Sequence, residues 1–124
     1  MKIEVSNSKI VDKLTIIEIK LENITSEQKL VNLRNEYDVL NKAVELIISK
    51  DHPFYLELLD INKKLWVIED RIRELEKNKD FGSEFIEVAR SVYFTNDLRS
   101  DVKRKINELT NSALIEEKSY EDYS

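Results

Sequence analysis

The chain has 124 residues, of which 36% are charged, with a net charge of −5, one glycine, one proline and no cysteine. That length suits a single domain able to bury roughly two-thirds of its unfolded surface. The missing cysteine excludes disulfides, thiolate zinc sites and Cys nucleophiles, and the near-absence of glycine excludes a hairpin-rich β architecture.

No apolar run approaches the ~18 residues of a membrane span, and the N-terminal MKIEVSNSK lacks the apolar stretch of a signal peptide, so a cytoplasmic protein is expected. The fold class expected is all-α, an antiparallel helical bundle or long helical hairpin of four to five helices. Residues 1–112 are expected to form one helical domain, with 113–124 an acidic C-terminal tail.

Met1–Val5 alternates and reads as a short extended arm. Ser6 or Ser8 then caps a first helix whose seam, Ile10, Leu14, Ile17, Leu21 and Ile24, is spaced 4-3-4-3. Val11, Ile16 and Ile19 widen that face beyond what one neighbour can cover, which places this helix at the centre. Asp12 reads as a first-turn carboxylate complementing the helix dipole, with Lys13 and Thr15 flanking the seam. Thr25 and Gln28 fit a capping box. The second helix follows to about Ser49, with Leu30, Leu33, Tyr37, Leu40, Val44 and Ile47 as its seam. Asp51-His-Pro53 ends it and opens a third helix that runs to Lys77, because proline suits a first helical position. Its seam is Leu58, Ile61, Leu65, Ile68, Ile72 and Leu75, with a second stripe of Asn62, Trp66, Glu69, Arg73 and Glu76. Residues 78–83 form a loop, and Asp80 or Ser83 caps the fourth helix, which runs to about Thr110. Thr95-Asn96-Asp97 could kink or restart that helix. Helices two and three are each expected to be roughly 25 residues, about 35 Å long. Helices of that length in so short a chain leave apolar surface for a second copy, so a homodimer is expected.

The seam of the fourth helix is interrupted. Phe85, Val88 and Val92 give way to Thr95 and Arg99 before Val102, Ile106 and Leu109 resume it. A charge on a core-facing stripe costs several kcal/mol unless it is paired. Glu69 and Asp70 on the antiparallel third helix are the partners expected for Arg99. Arg90, Tyr93, Asn96 and Asp97 lie within about two and a half turns of it, and with Trp66 and Lys103 they complete a candidate ligand face. Such a face suits a small anion, since a guanidinium offers a planar fork to phosphate or carboxylate. An ion pair that fixes helix register explains the same residues without a ligand.

Other chemistry finds little support. His52 is the lone histidine and sits in a turn, so no metal site is expected, and one glycine cannot build a phosphate loop. Glu57-x-x-Asp60 has the spacing of half a magnesium site, but the second half is missing. Lys103-Arg104-Lys105 is a weak nucleic-acid signal, better explained as the basic end of a helix. No cofactor is expected, and neither a membrane nor nucleic acid is an expected partner.

Four stretches in series, VSNSKIVDKLTIIEIKL (5–21), INKKLWVIEDRIRELE (61–76), FIEVARSVYFTNDLRSDVKRKIN (85–107) and ALIEEKSY (113–120), resemble a small family of uncharacterised bacterial and phage proteins of this length, a domain of unknown function. The resemblance implies a self-contained helical unit and supplies no activity. It singles out Asp12, Lys13, Trp66, Glu69, Asp70, Arg90, Tyr93, Asn96, Asp97, Arg99 and Lys103 as residues with a shared role, and Tyr120 as the anchor of a docked tail. The functional expectation is a helical binding or assembly protein that uses this face for a protein partner or a small anion. The alternative is a small all-α enzyme acting on a phosphorylated or carboxylated metabolite, with Arg90 and Arg99 holding the anion and Glu69 or Asp97 as acid or base.

Overall fold

The structure, a computed structural model, describes residues 6–110. It contains four helices: α1 (Asn7–Asn23), α2 (Glu27–Glu45), α3 (Pro53–Lys77) and α4 (Ser83–Leu109). The fold is all-α, as the glycine count and the seams require. The expected N-terminal arm and the docked tail with its Tyr120 anchor lie outside the described residues.

Local chemistry sets the helix ends. Ser6 caps α1 by accepting a hydrogen bond from the Lys9 N–H. Asp12 therefore sits past the first turn rather than in it, and the dipole account of that residue does not hold. At the start of α2 the cap is Ser26, with no side-chain hydrogen bond, so Thr25 and Gln28 form no capping box. α2 is also shorter than its pattern predicts, at 19 residues. The N–H groups of Leu46 and Ile47 bond back to Ala43 and Val44, three residues earlier, and this tightening closes the helix before Ser49. His52 opens α3, its ring Nδ1 accepting from the Phe54 N–H at 3.0 Å with Pro53 at the first helical position. α3 closes with two reciprocal bonds, Asp80 N–H to Leu75 C=O at 2.8 Å and Lys79 N–H to Glu76 C=O at 2.9 Å. That closure places Lys79 at φ 54°, in the left-handed region. Gly82, rather than Asp80 or Ser83, is the cap of α4.

α4 is continuous through Thr95–Asp97. A break there would have offered fresh backbone N–H donors beside Arg99, and none exist.

The helices pair as two hairpins with α1 as the hub. α1 touches all three other helices, whereas α2 packs on α1 alone and α4 packs mainly on α3. The core draws Val11 and Leu14 from α1, Val44 from α2 and Ile48 just beyond it, Tyr55, Leu58, Ile61 and Leu65 from α3, and Val102 and Ile106 from α4. α1 crosses the base of the α3–α4 hairpin, meeting α4 at Asn107 through Ser8 and α3 at Tyr55 through Glu18. Beyond that crossing the hairpin continues as a two-helix arm. Between Trp66 and Asn96 only Leu75 is fully buried.

Candidate functional site

Two features stand out, one inside the base and one outside the arm. The inner feature begins with a polar row on α1, Ser8, Asp12, Thr15 and Glu18, at helical spacing. The first three are buried. The Ser8 N–H donates to Asn107 Oδ1 at 2.9 Å. Asp12 takes two donors from Arg99, Nε to Oδ1 at 3.0 Å and Nη2 to Oδ2, in a two-pronged pair. Asn62 Nδ2 reaches both Asp12 Oδ1 and Thr15 Oγ1 at 2.8 Å, and Thr15 in turn donates to the Asp12 carbonyl at 2.7 Å. Arg99 therefore closes on Asp12, not on Glu69 or Asp70 as its position opposite the third helix implied. The reason is geometric: Glu69 and Asp70 face solvent and both pair with Arg73 one turn along their own helix, while α1 supplies a carboxylate at the hairpin base.

Below this network, Tyr55 donates to Glu18 Oε1 at 2.7 Å, and Lys50 pairs with the same oxygen at 3.1 Å while donating to the Tyr37 hydroxyl. Burial, with the Glu18 carboxylate adding to it, pushes the Tyr55 hydroxyl far above the ordinary tyrosine range. Burial pulls Lys50 the other way, but its bonds to Tyr37 and Glu18 outweigh that and raise it. These four side chains tie the middle of α2, at Tyr37, and the turn that follows it, at Lys50, to α1 and α3.

The outer feature is the solvent face of α4 on the arm. Ile86, Tyr93, Phe94 and Leu98 are 56%, 57%, 47% and 56% exposed there. An open groove of about 620 Å³ runs along this face, lined by Ser83, Ile86, Glu87, Arg90, Ser91 and Phe94. Neither Glu87 nor Arg90 forms an ion pair among the described residues. Near the arm's tip, Arg71 on α3 grips Glu84 at the start of α4, Nε at 2.8 Å and Nη2 at 2.6 Å, and that hydrogen bond raises its guanidinium.

The predicted site residues thus divide between these two places. Arg99 belongs to the inner network. Arg90 and Tyr93 lie on the outer face, nine and six residues away, and nine residues is about two and a half turns, so Arg90 and Arg99 point to opposite sides of α4. Asp97 is 3% exposed, Asn96, Lys103 and Trp66 are half-buried, and Glu69 and Asp70 stay on the surface of α3. No single cleft gathers them. Sequence reasoning passed over Asn62 as Arg99's neighbour, over Ile86, Glu87 and Phe94, and over the Glu18–Lys50–Tyr55 cluster. Among the described residues no group of His, Cys, Asp and Glu side chains is placed to hold a metal ion, and no helix is long and apolar enough to cross a membrane.

No curated protein and no solved structure matches the chain. The family of unknown function designated DUF6165 matches residues 1–123, spanning the inner network and the arm alike, and the chain belongs to that family.

Proposed function

We propose that this chain is a helical assembly protein whose partner is a second copy of itself, bound through the outer face of α4. The observation that carries this reading is the row of exposed apolar side chains, Ile86, Tyr93, Phe94 and Leu98, on an arm that is two helices thick among the described residues. An aromatic side chain buries about 150–250 Å². At the exposures observed, the two aromatics with Ile86 and Leu98 offer roughly 400 Å² per protomer, about half of the ~800 Å² that a partner contributes to a stable interface. The serines and charged residues around the groove supply the rest of the patch.

The ligand-binding and enzymatic readings draw less support. Arg99 is held by Asp12, and Arg90 stands on the opposite side of the helix, so the two do not converge on one anion. Neither Glu69 nor Asp97 lines the groove beside Arg90. The proposed setting is the cytoplasm of a bacterial or phage-infected cell, which rests on the family resemblance and the cysteine-free composition.

Sedimentation equilibrium of the full chain tests the reading. Wild type should sediment as a dimer at ~100 μM, a concentration that reveals even a weak complex. Phe94→Asp should sediment as a monomer with an unaltered helical circular-dichroism spectrum. A wild-type chain that stays monomeric at that concentration ends the proposal.

A further inference from the structure

The six residues of the α4 groove fall on two neighbouring rows with i, i+4 spacing. Ile86, Arg90 and Phe94 make a ridge, and Ser83, Glu87 and Ser91 make the trough beside it. Helices pack by laying such ridges into such troughs. The two rows are complementary to each other when one copy of α4 is reversed end over end. A two-fold axis level with the Val88–Ala89 peptide brings Ile86 against Ser91 of the partner subunit, Arg90 against Glu87 of the partner subunit, and Phe94 against Ser83 of the partner subunit. Each large side chain meets a small one and each cation meets an anion, and symmetry repeats all three contacts. This is the isologous arrangement that a two-fold dimer requires. A parallel arrangement in equal register has no such match, because it sets Arg90 against Arg90 of the partner subunit.

We infer that two copies of α4 pair antiparallel in this one register, with Arg90 of each protomer bonded to Glu87 of the partner subunit; the inference rests on the dimer proposed above. The apolar contacts hold the copies together, and the two ion pairs select the register. Charges at such a position discriminate strongly, since like charges facing each other oppose association while the correct pairing adds little beyond what size complementarity supplies. The same logic explains why Glu87 and Arg90 make no ion pair with the described residues of their own chain: their partners are supplied by the second copy.

A charge exchange tests this in the full chain. Glu87→Arg and Arg90→Glu should each weaken the dimer by ~10-fold or more, because each places two like-charged pairs across the axis. The double variant should recover wild-type association to within about 3-fold, since the exchange restores both pairs. An equimolar mixture of the two single variants should form heterodimers, which an intrachain Glu87–Arg90 contact cannot explain. All these residues are exposed or half-exposed, so circular dichroism should show every variant folded. If wild type dimerises and Phe94→Asp does not, yet the single charge variants associate like wild type, the register is wrong while the dimer stands. If wild type is monomeric, the dimer fails, and the register with it. A double variant no tighter than the singles also overturns the pairing.

Discussion

Replacing Arg99 with methionine should cost about 3 kcal/mol, and the structure explains why the figure falls there. The substitution leaves the Asp12 carboxylate, whose side chain is 7% exposed, with Asn62 as its remaining side-chain donor. Breaking a buried ion pair by removing one partner costs about 3–5 kcal/mol, because the survivor is left charged and unpaired. The Arg99 side chain keeps 29% of its surface in solvent, so water can enter where the guanidinium stood, and the lower end of that range applies. For a chain of this size the loss corresponds to a drop of roughly 10 °C in Tm. The companion variant is the double change Asp12→Leu with Arg99→Met. It removes both charges, and Asn62 keeps Thr15 Oγ1 as an acceptor at 2.8 Å, so only one amide hydrogen loses its partner, at about 1–2 kcal/mol. The double variant should therefore be more stable than Arg99→Met alone. Urea unfolding followed by circular dichroism at pH 7 measures both, with the slope checked against wild type to confirm that the unfolded state is unchanged. A dimer's stability depends on protomer concentration, so the series belongs in the Phe94→Asp background. A loss below about 1 kcal/mol for Arg99→Met, or a double variant less stable than the single, would show that Asp12 and Arg99 are each solvated independently and that the network holds nothing in register.

Two further predictions concern stability at other places. Tyr55 and Lys50 both hold their protons more tightly folded than unfolded, so their contribution is complete below about pH 10 and falls as the pH rises beyond it. Urea midpoints between pH 8 and 11 should decline at the alkaline end, and Tyr55→Phe should flatten that decline; an identical slope in the variant would disprove the assignment to Tyr55. Lys79→Gly should stabilise the chain by about 1 kcal/mol, because a side chain at φ 54° carries a left-handed penalty that glycine lacks. Lys79→Ala should change little by the same denaturation assay, and a glycine variant less stable than wild type would contradict the closure described for α3.

The four helices were legible because the chain punctuates them with few alternatives. Pro53 and Gly82 stand at helix starts, and the seams at Leu14, Ile17, Leu58, Ile61, Leu65, Val102 and Ile106 became core. Where seams ended half-buried, as at Leu30 and Leu33 on α2 or Val88 and Val92 on α4, the reason is tertiary: among the described residues α1 is the one helix packed along α2, and no third helix lies along the arm. Periodicity shows which side of a helix is apolar but not how many neighbours cover it. The Arg99 partner was missed for a related reason. α1 carries a wide apolar arc, with Ile10, Val11, Leu14, Ile17 and Ile19. Lys9 and Lys13 mark its exposed side, whereas residues 8, 12 and 15 fall beside Val11 and Ile19 at helical spacing and so lie on the covered side. Asp12 was therefore the buried carboxylate in search of a cation, a signal present in the sequence and outweighed by its nearness to the helix start. The outer face of α4 was harder to read, since Ile86, Phe94 and Leu98 lie off the seam and single apolar residues on a surface are ordinary. What gives them meaning is that, among the described residues, no third helix lies along the arm.

Arg99 separates two halves of one helix that carry different demands. C-terminal to it, Val102, Ile106 and Asn107 are buried against α1 and α3, and a change there alters folding. N-terminal to it, Ile86, Phe94 and Leu98 are exposed on the outer face, and in the proposed dimer a change there should alter association. The polar network holds α1 at the boundary through directional bonds, where an apolar contact would let α1 slide along the hairpin. If α1 shifted by one turn toward the arm, about 5.4 Å, it would leave Val102 and Ile106 uncovered, while the groove, lined by Arg90, lies on the far side of α4 from Arg99. A register lock at Asp12–Arg99 thus keeps the core closed from one side of α4 and leaves the groove on the other side untouched. The two features are therefore separable. Arg99→Met should lower the urea midpoint and leave association of the folded chain unchanged by sedimentation equilibrium, whereas Phe94→Asp should abolish dimerisation and leave the lock intact.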